Sequence, residues 1–390
     1  MSAARGPSRE YFVPGRIEFV GKHVDYAGGR SLTCATELAI RSRATTIDDP
    51  IIRLRRGAGE LAMDVALSPD AKPTTVRSSA YVTAVARRFA RDFPDARKGV
   101  SIELQSDLPT SAGLSSSTAL VVTLAMAFID ANDLENDARW KMEVGSDIAL
   151  AEYIAAIETG AAYGSFPADG GVGVRGGAQD HVAIVCAEEG MLSQFRYLPA
   201  RLERREPWPR EFVIAIGVSG VHATKTGNAQ AAYNRLADAM RYDPENTTAE
   251  IVAPSLHAAV VPADIADRRA QFREETDIIV PGVADALRDR DWPKLGRLVD
   301  RSQAMAESVL RNQVPETVHL AREARVHGAI AASAFGAGFG GAVWAMIQRD
   351  DADRFLAAWR AGYERAFPQR RSRAKWLVTR PGGAARTVLG

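Results

Sequence analysis

Leu108-Pro109-Thr110-Ser111-Ala112-Gly113-Leu114-Ser115-Ser116-Ser117-Thr118-Ala119 is a run of small and hydroxyl-bearing residues between two contrasting segments. Val100-Ser101-Ile102-Glu103-Leu104 before it alternates apolar and polar, and Ala119 to Ile129 after it is almost unbroken in its apolarity. Alternation predicts a strand and the longer apolar run a helix, so the loop reads as a strand-to-helix turn. Such a turn presents unpaired backbone N–H groups and the positive end of a helix dipole. The ligand that suits it is an anion, most often a phosphate. A tight turn leading into a Ser-capped helix would use similar residues, so this stretch alone leaves both readings open.

With 390 residues the chain is long for one core, and two domains are expected. The composition, 46% hydrophobic and 25% charged, is that of a globular protein. A net charge of +1 gives no electrostatic case for nucleic acid or an anionic membrane surface, so an anionic ligand needs a local site. The 2 cysteines, Cys34 and Cys186, are far apart and lack metal-ligand spacing, which excludes a disulfide framework and suits a reducing compartment. Met1 to Glu10 lacks the apolar core of a signal peptide, and Ala119 to Ile129 is too short to span a bilayer. A cytoplasmic enzyme is expected; nothing fixes the oligomeric state, and a monomer is compatible with the sequence.

Tyr11 to Gly29 brackets a short strand with glycines and then gathers Lys22, His23, Asp25 and Tyr26. So many polar groups together suit a binding site, although an exposed turn collects the same residue types. Strands are predicted within 37–67, a helix over 78–93, and a second long helical pattern over 137–159 carrying Glu143, Asp147, Glu152 and Glu158. Gly160 to Gly177 reads as a flexible connection too poor in bulky residues to build a core. It ends in Gly176-Gly177-Ala178-Gln179-Asp180-His181, ahead of a predicted strand at 182–186. Asp180 is a candidate general base and equally a candidate cap. Arg201 to Arg210 reads as a linker, followed by a strand at 212–218, a helix at 226–242, and helices through 274–326 with breaks near Pro281, Pro293 and Pro315. Then come Gly336 to Gly341, a strand at 342–347, a helix at about 350–367 and a closing strand at 375–379.

Gly336 to Gly341 satisfies G-x-G-x-x-G, but a strand follows it, whereas the dinucleotide fingerprint must open a helix. Neither a Walker A sequence nor a G-x-S-x-G elbow occurs. Taken together, Gly15 to Gly29, Pro109 to Ala119 and Gly336 to Gly341 resemble, in order and spacing, the motifs of the GHMP small-molecule kinases. The first looks like the galactokinase signature, and the likeness extends through Val314-Pro315-Glu316 over nearly the whole chain.

The resemblance implies a two-domain α+β fold with mixed and antiparallel sheets and the active site in the interdomain cleft, divided here into residues 1–205 and 206–390. It implies that Gly113, Leu114, Ser115, Ser116 and Ser117 wrap the phosphates of ATP, with Gly338 and Gly340 also on the nucleotide. It implies Mg2+ at Ser117 and a helix-borne glutamate, Glu158, with Glu152 the fallback. Asp180 falls where galactokinases place the catalytic aspartate and Arg16 where they place its arginine partner; Lys22, His23, Asp25 and Tyr233 would line the sugar pocket. Phosphoryl transfer relies on positioning and charge neutralisation, which a loop of N–H donors, magnesium and an arginine supply.

Galactokinases usually carry glutamate where this chain has Lys22, near the sugar's C6 oxygen. The reversed charge raises a sugar acid such as galacturonate as a substrate, unless Lys22 reaches solvent or pairs with a nearby acid. His181 stands where glutamine is usual, and the connection 160–177 is longer than its counterpart. The resulting expectation is an ATP-dependent kinase acting on the anomeric hydroxyl of galactose or a related sugar. The alternatives are a mevalonate- or homoserine-type alcohol kinase and a non-catalytic ligand sensor.

Overall fold

The longest alternating stretches of the chain, at its beginning, form β1 (Ser8–Val20) and β2 (Arg30–Ile47), an antiparallel pair. In this computed structural model residues 7–57, 60–76, 78–109, 112–222, 228–241 and 262–388 are described; Thr110, Ser111 and the ends of the helix predicted at 226–242 lie outside them. On this pair the chain builds a nine-stranded mixed sheet, ordered β13-β1-β2-β5-β3-β4. Its members are β3 (Ile51–Arg56), β4 (Glu60–Ala66), β5 (Gly99–Ser106) and, late in the chain, β13 (Arg386–Val388), with β3 and β5 parallel. β6 (Met191–Arg196) and β12 (Pro381–Gly382) also pair with β2, and β7 (Arg201–Pro207) pairs with β6. Helices α1 (Ser79–Asp92), α2 (Ser116–Ala131), α3 (Ala138–Glu143), α4 (Asp147–Thr159) and α5 (Gln179–Val185) belong to this half. The long pattern predicted over 137–159 divides at Gly145, where Ser146 caps α4 by accepting from the Ala149 N–H.

A second, four-stranded antiparallel sheet has the order β11-β8-β10-β9. It comprises β8 (Phe212–Val218), β9 (Ala331–Ala334), β10 (Ala342–Gln348) and β11 (Lys375–Thr379). With it go α6 (Asn228–Arg241), α7 (Pro262–Glu274), α8 (Val280–Asp289), α9 (Trp292–Met305), α10 (Pro315–Val326) and α11 (Ala352–Ala366). Pro281 does not break the helix: it stands in the first turn of α8, directly after a π turn at Glu275–Ile279, a position at which proline is tolerated. The division placed at 205/206 falls inside β7, and 381–388 returns to the first sheet, so the halves are not contiguous in sequence. Among the described residues no helix is long and apolar enough to cross a membrane.

Some local expectations give way. Val182-Ala183-Ile184-Val185 is helical rather than extended, because so short an apolar run fits either period and here it is buried all round as α5. Arg201 to Pro207 is a strand rather than a linker: Leu202, Arg204 and Glu206 turn inward while Arg201, Glu203 and Arg205 face water, the charged dress of an edge strand. The 160–177 connection is anchored, not loose. Phe166 is buried against Phe93 and Tyr153, and Arg88 and Arg91 donate to the Ala161, Pro167 and Ala168 carbonyls.

The two sheets share one hydrophobic core. Phe19 of β1 and Trp344 of β10 stack with ring centroids 3.8 Å apart, both fully buried, and Trp208 meets Phe19 edge-on. Trp344→Ala should therefore lower unfolding free energy by about 3–5 kcal/mol in denaturant titration, the range for emptying a large aromatic site. A loss below about 1 kcal/mol would show that this contact does not join the halves.

Candidate active site

Alternation along β1 sends Ile17 and Phe19 into the core and Arg16 and Glu18 into a cavity between the two halves. Arg16 Nε and Nη2 meet Asp180 Oδ1 at 2.7 and 2.6 Å, and Nη1 donates to the Gly113 carbonyl. The Arg16 N–H donates to the Leu114 carbonyl at 3.3 Å. Ser115 Oγ donates to Asp180 Oδ2 at 2.5 Å, so both carboxylate oxygens are held. Ser115 precedes α2 in a left-handed conformation (φ 55°), and its hydroxyl, turned to Asp180, makes no cap on the helix. Gly113 is required where it sits, since at φ 79° an added Cβ would lie 3.1 Å from the Phe335 carbonyl oxygen. The serine loop, the arginine near the start of the chain and the acid in the first turn of α5 thus meet at one place.

Glu158, near the end of α4, is buried and lines the same cavity. Thr118 Oγ1 donates to its Oε2 at 3.2 Å, and His181 Nε2 lies 3.2 Å from that oxygen. Glu152 is engaged elsewhere, accepting the Ala200 N–H at 2.6 Å. Ser116 and Ser117 are half-buried in the first turn of α2, but it is Thr118 that lines the cavity. Among the described residues no group of three or more His, Cys, Asp or Glu could hold a metal. A magnesium ion that keeps waters and leans on phosphate oxygens needs only one or two protein oxygens. One carboxylate beside a hydroxyl-rich helix entrance fits that need.

His23, Asp25 and Tyr233 all line the cavity. Asp25 Oδ2 accepts the Gly177 and Gln179 N–H groups at 3.1 and 3.3 Å, and a Cβ on Gly177 would collide with it at 2.6 Å. His23 lies 3.1 Å from both the Tyr26 hydroxyl and the Ala337 carbonyl, and its ring centroid is 5.0 Å from that of Tyr233. Burial pushes the Tyr233 phenol well above its usual range, so it keeps its proton.

Lys22 is not where the sequence suggested. It is 1% exposed and absent from the cavity wall, its Nζ donating to Ser302 Oγ at 3.1 Å. Ser302 donates in turn to Glu275 Oε1 at 2.8 Å, which also accepts the Gly21 and Lys22 N–H groups. The buried acid, supplied by the π turn of the second half, thus holds the backbone of Gly21 and Lys22 and the serine to which the lysine donates. Gly338 and Gly340 also stand off the cavity. An added Cβ on Gly338 would meet Asn312 and one on Gly340 would meet Val221, so these glycines admit packing from behind, while Gly336 and Ala337 form the wall.

Sequence reasoning passed over Glu18, although its i, i+2 spacing from Arg16 on a strand was the signal. Gln179 Nε2 donates to its Oε2 at 2.6 Å. Burial pushes its carboxyl up to about 7, with Lys22 and Arg16 opposing the rise and Asp180 adding to it.

Residues 80–188 match the GHMP kinases N terminal domain, 283–365 the GHMP kinases C terminal domain, and 4–42 the galactokinase galactose-binding signature. A galactokinase of Chloroflexus aggregans is 27% identical over 380 residues, covering 92% of this chain and 88% of its own. A galactokinase of Haemophilus influenzae is 22% identical over 356 residues, covering 89% and 87%. The crystal structure of Lactococcus lactis galactokinase complexed with galactose superposes with a TM-score of 0.76 at 20% identity, covering 98% of this chain and 95% of that one.

Glu18 carries a stability signature. A carboxyl with a folded pKa of about 7 and an unfolded pKa near the ordinary 4.5 binds its proton more tightly when folded, so stability falls as pH rises between these values. Glu18→Gln removes the penalty. Its unfolding free energy should exceed that of the wild type by roughly 2–4 kcal/mol at pH 8, with the gap closing near pH 4. Equal stabilities at pH 8 would refute a strained, buried carboxylate.

Proposed function

The chain belongs to the GHMP kinases, and we propose that it is an ATP-dependent sugar 1-kinase working in the cytoplasm, which transfers the γ-phosphoryl group to the anomeric hydroxyl of galactose or a closely related sugar. The observation that carries this reading is the meeting of Arg16 and Asp180, on the cavity wall, with Gly113 and Ser115 of the serine loop. In it the loop N–H groups and the entrance of α2 hold the ATP phosphates. Asp180, fixed by Arg16, accepts the proton of the attacking hydroxyl, while Arg16 offsets charge on the group in transit. His23, Asp25 and Tyr233 hold the sugar. Glu158, with Ser117 at the helix entrance, would hold a magnesium ion, which supplies charge neutralisation on the phosphates when bound.

The galactose-binding signature over 4–42 favours a sugar over a mevalonate- or homoserine-type acceptor. A catalytic role is favoured over that of a ligand sensor because Arg16 and Asp180 are both retained and bonded to each other. The case for galacturonate weakens, since Lys22, whose charge suggested it, donates to Ser302 instead of facing the cavity.

ATP consumption measured across neutral hexoses, uronic acids, mevalonate and homoserine tests the reading, with galactose or a near relative expected to turn over fastest. Asp180→Asn should lower kcat on that sugar by about 10²–10⁴-fold in a protein that still unfolds cooperatively. Near-normal turnover by this variant would remove Asp180 from the proton-accepting role.

A further inference from the structure

Glu18 is 3% exposed, yet its Oε1 has no hydrogen-bond partner among the described residues. The side chain cannot swing away to find one, because Gln179 Nε2 fixes the other oxygen at 2.6 Å. Gln179 Oε1, also on the cavity wall, is likewise without a partner among the described residues. A buried acceptor left unmade is costly, and each such group in a folded protein calls for an explanation. Gln179 Oε1 is an acceptor, and so is Glu18 Oε1 once the carboxyl has lost its proton, so above about pH 7 what would complete both is a donor.

The wall they share with Arg16 and Asp180 tells which donor. Among the described residues its acids are Glu18, Asp25, Glu158 and Asp180, and its one arginine, Arg16, is already committed to Asp180. A carboxylate or phosphate on the acceptor molecule would meet like charge there. A neutral polyol, with hydroxyls able to donate to fixed oxygens, suits it. Resting on the sugar-kinase reading, we propose that Glu18 is a specificity-determining sugar-binding residue, its unpartnered Oε1 accepting a hydrogen bond from one ring hydroxyl of the substrate. Because Gln179 directly precedes Asp180 on α5, the contact that orients Glu18 also ties the recognised hydroxyl to the position of the reacting one. Glu18 binds and orients the sugar; Asp180 takes the proton.

The test compares the full-length wild type with Glu18→Gln and Glu18→Ala on galactose and its 2-, 3-, 4- and 6-deoxy analogues, with thermal unfolding as the folding control. Wild-type kcat/KM should fall roughly ten- to hundredfold for one analogue, the range of a hydrogen bond to a charged group. Both variants should raise KM for galactose by a comparable factor with kcat changed less than about threefold, and should treat that analogue and galactose alike. A wild type that tolerates every deoxy analogue overturns the inference whether or not the variants fold. So do variants that keep the wild-type pattern of losses, or that lose kcat at constant KM. A wild type inert on galactose but active on mevalonate or homoserine overturns the sugar-kinase reading as well, whereas a kinase active on galactose without a position-specific loss overturns the Glu18 assignment alone.

Discussion

The ion pair between Arg16 and Asp180 is the contact around which the rest is arranged. Its guanidinium also reaches the Gly113 carbonyl, so one side chain joins β1, the serine loop and α5. Burial of such a pair is seldom a net gain in stability, since desolvation offsets most of the attraction. Its value is geometric. With Ser115 on the second carboxylate oxygen, Asp180 has little freedom left, and a group that must receive a proton along one direction benefits from being aimed beforehand.

Packing between the halves supplies the walls. The second half sends Glu275 on its π turn beneath the Gly21 and Lys22 N–H groups, and Arg268 donates to the His23 carbonyl and to the Tyr26 hydroxyl. The turn after β1 therefore takes its shape from residues about 250 positions away, and a local reading of Lys22, His23 and Asp25 could find their types but not their directions. His23 and Asp25 face the cavity, whereas the lysine between Gly21 and His23 donates to Ser302 of the second half.

What was legible follows the same division. Phe212 to Val218 and Lys375 to Thr379 were readable as short runs rich in β-branched and aromatic residues set off by charged and proline-bearing flanks, and the serine loop because strand, turn and helix signals stood in order. α5 was not, since a short run of β-branched residues satisfies both periods until tertiary burial selects one. β7 was not, because its inward residues, Leu202, Arg204 and Glu206, include charges whose partners, such as Asp285, lie on α8. The likeness of the motifs brought Arg16 and Asp180 together before any coordinate did; it could not show that Gly338 and Gly340 make room for Asn312 and Val221.

The register of β1 binds these observations into one constraint. Its pairing with β2 shifts between Pro14 and Arg16 and again between Glu18 and Val20, so irregularities bracket the segment that alternates between cavity and core. Bulges re-aim side chains, and here the re-aimed segment puts Arg16 and Glu18 on one side and Ile17 and Phe19 on the other. A slip of one residue would drive two charges into the interdomain core and leave Phe19 in the cavity, losing its stack on Trp344 and the grip on Asp180 together. The hydrophobic contact that joins the halves and the polar contacts that define the site are thus alternate outputs of the same short strand. Stability of the interdomain core consequently fixes the register in which Arg16 can hold Asp180 and Glu18 can face a ligand.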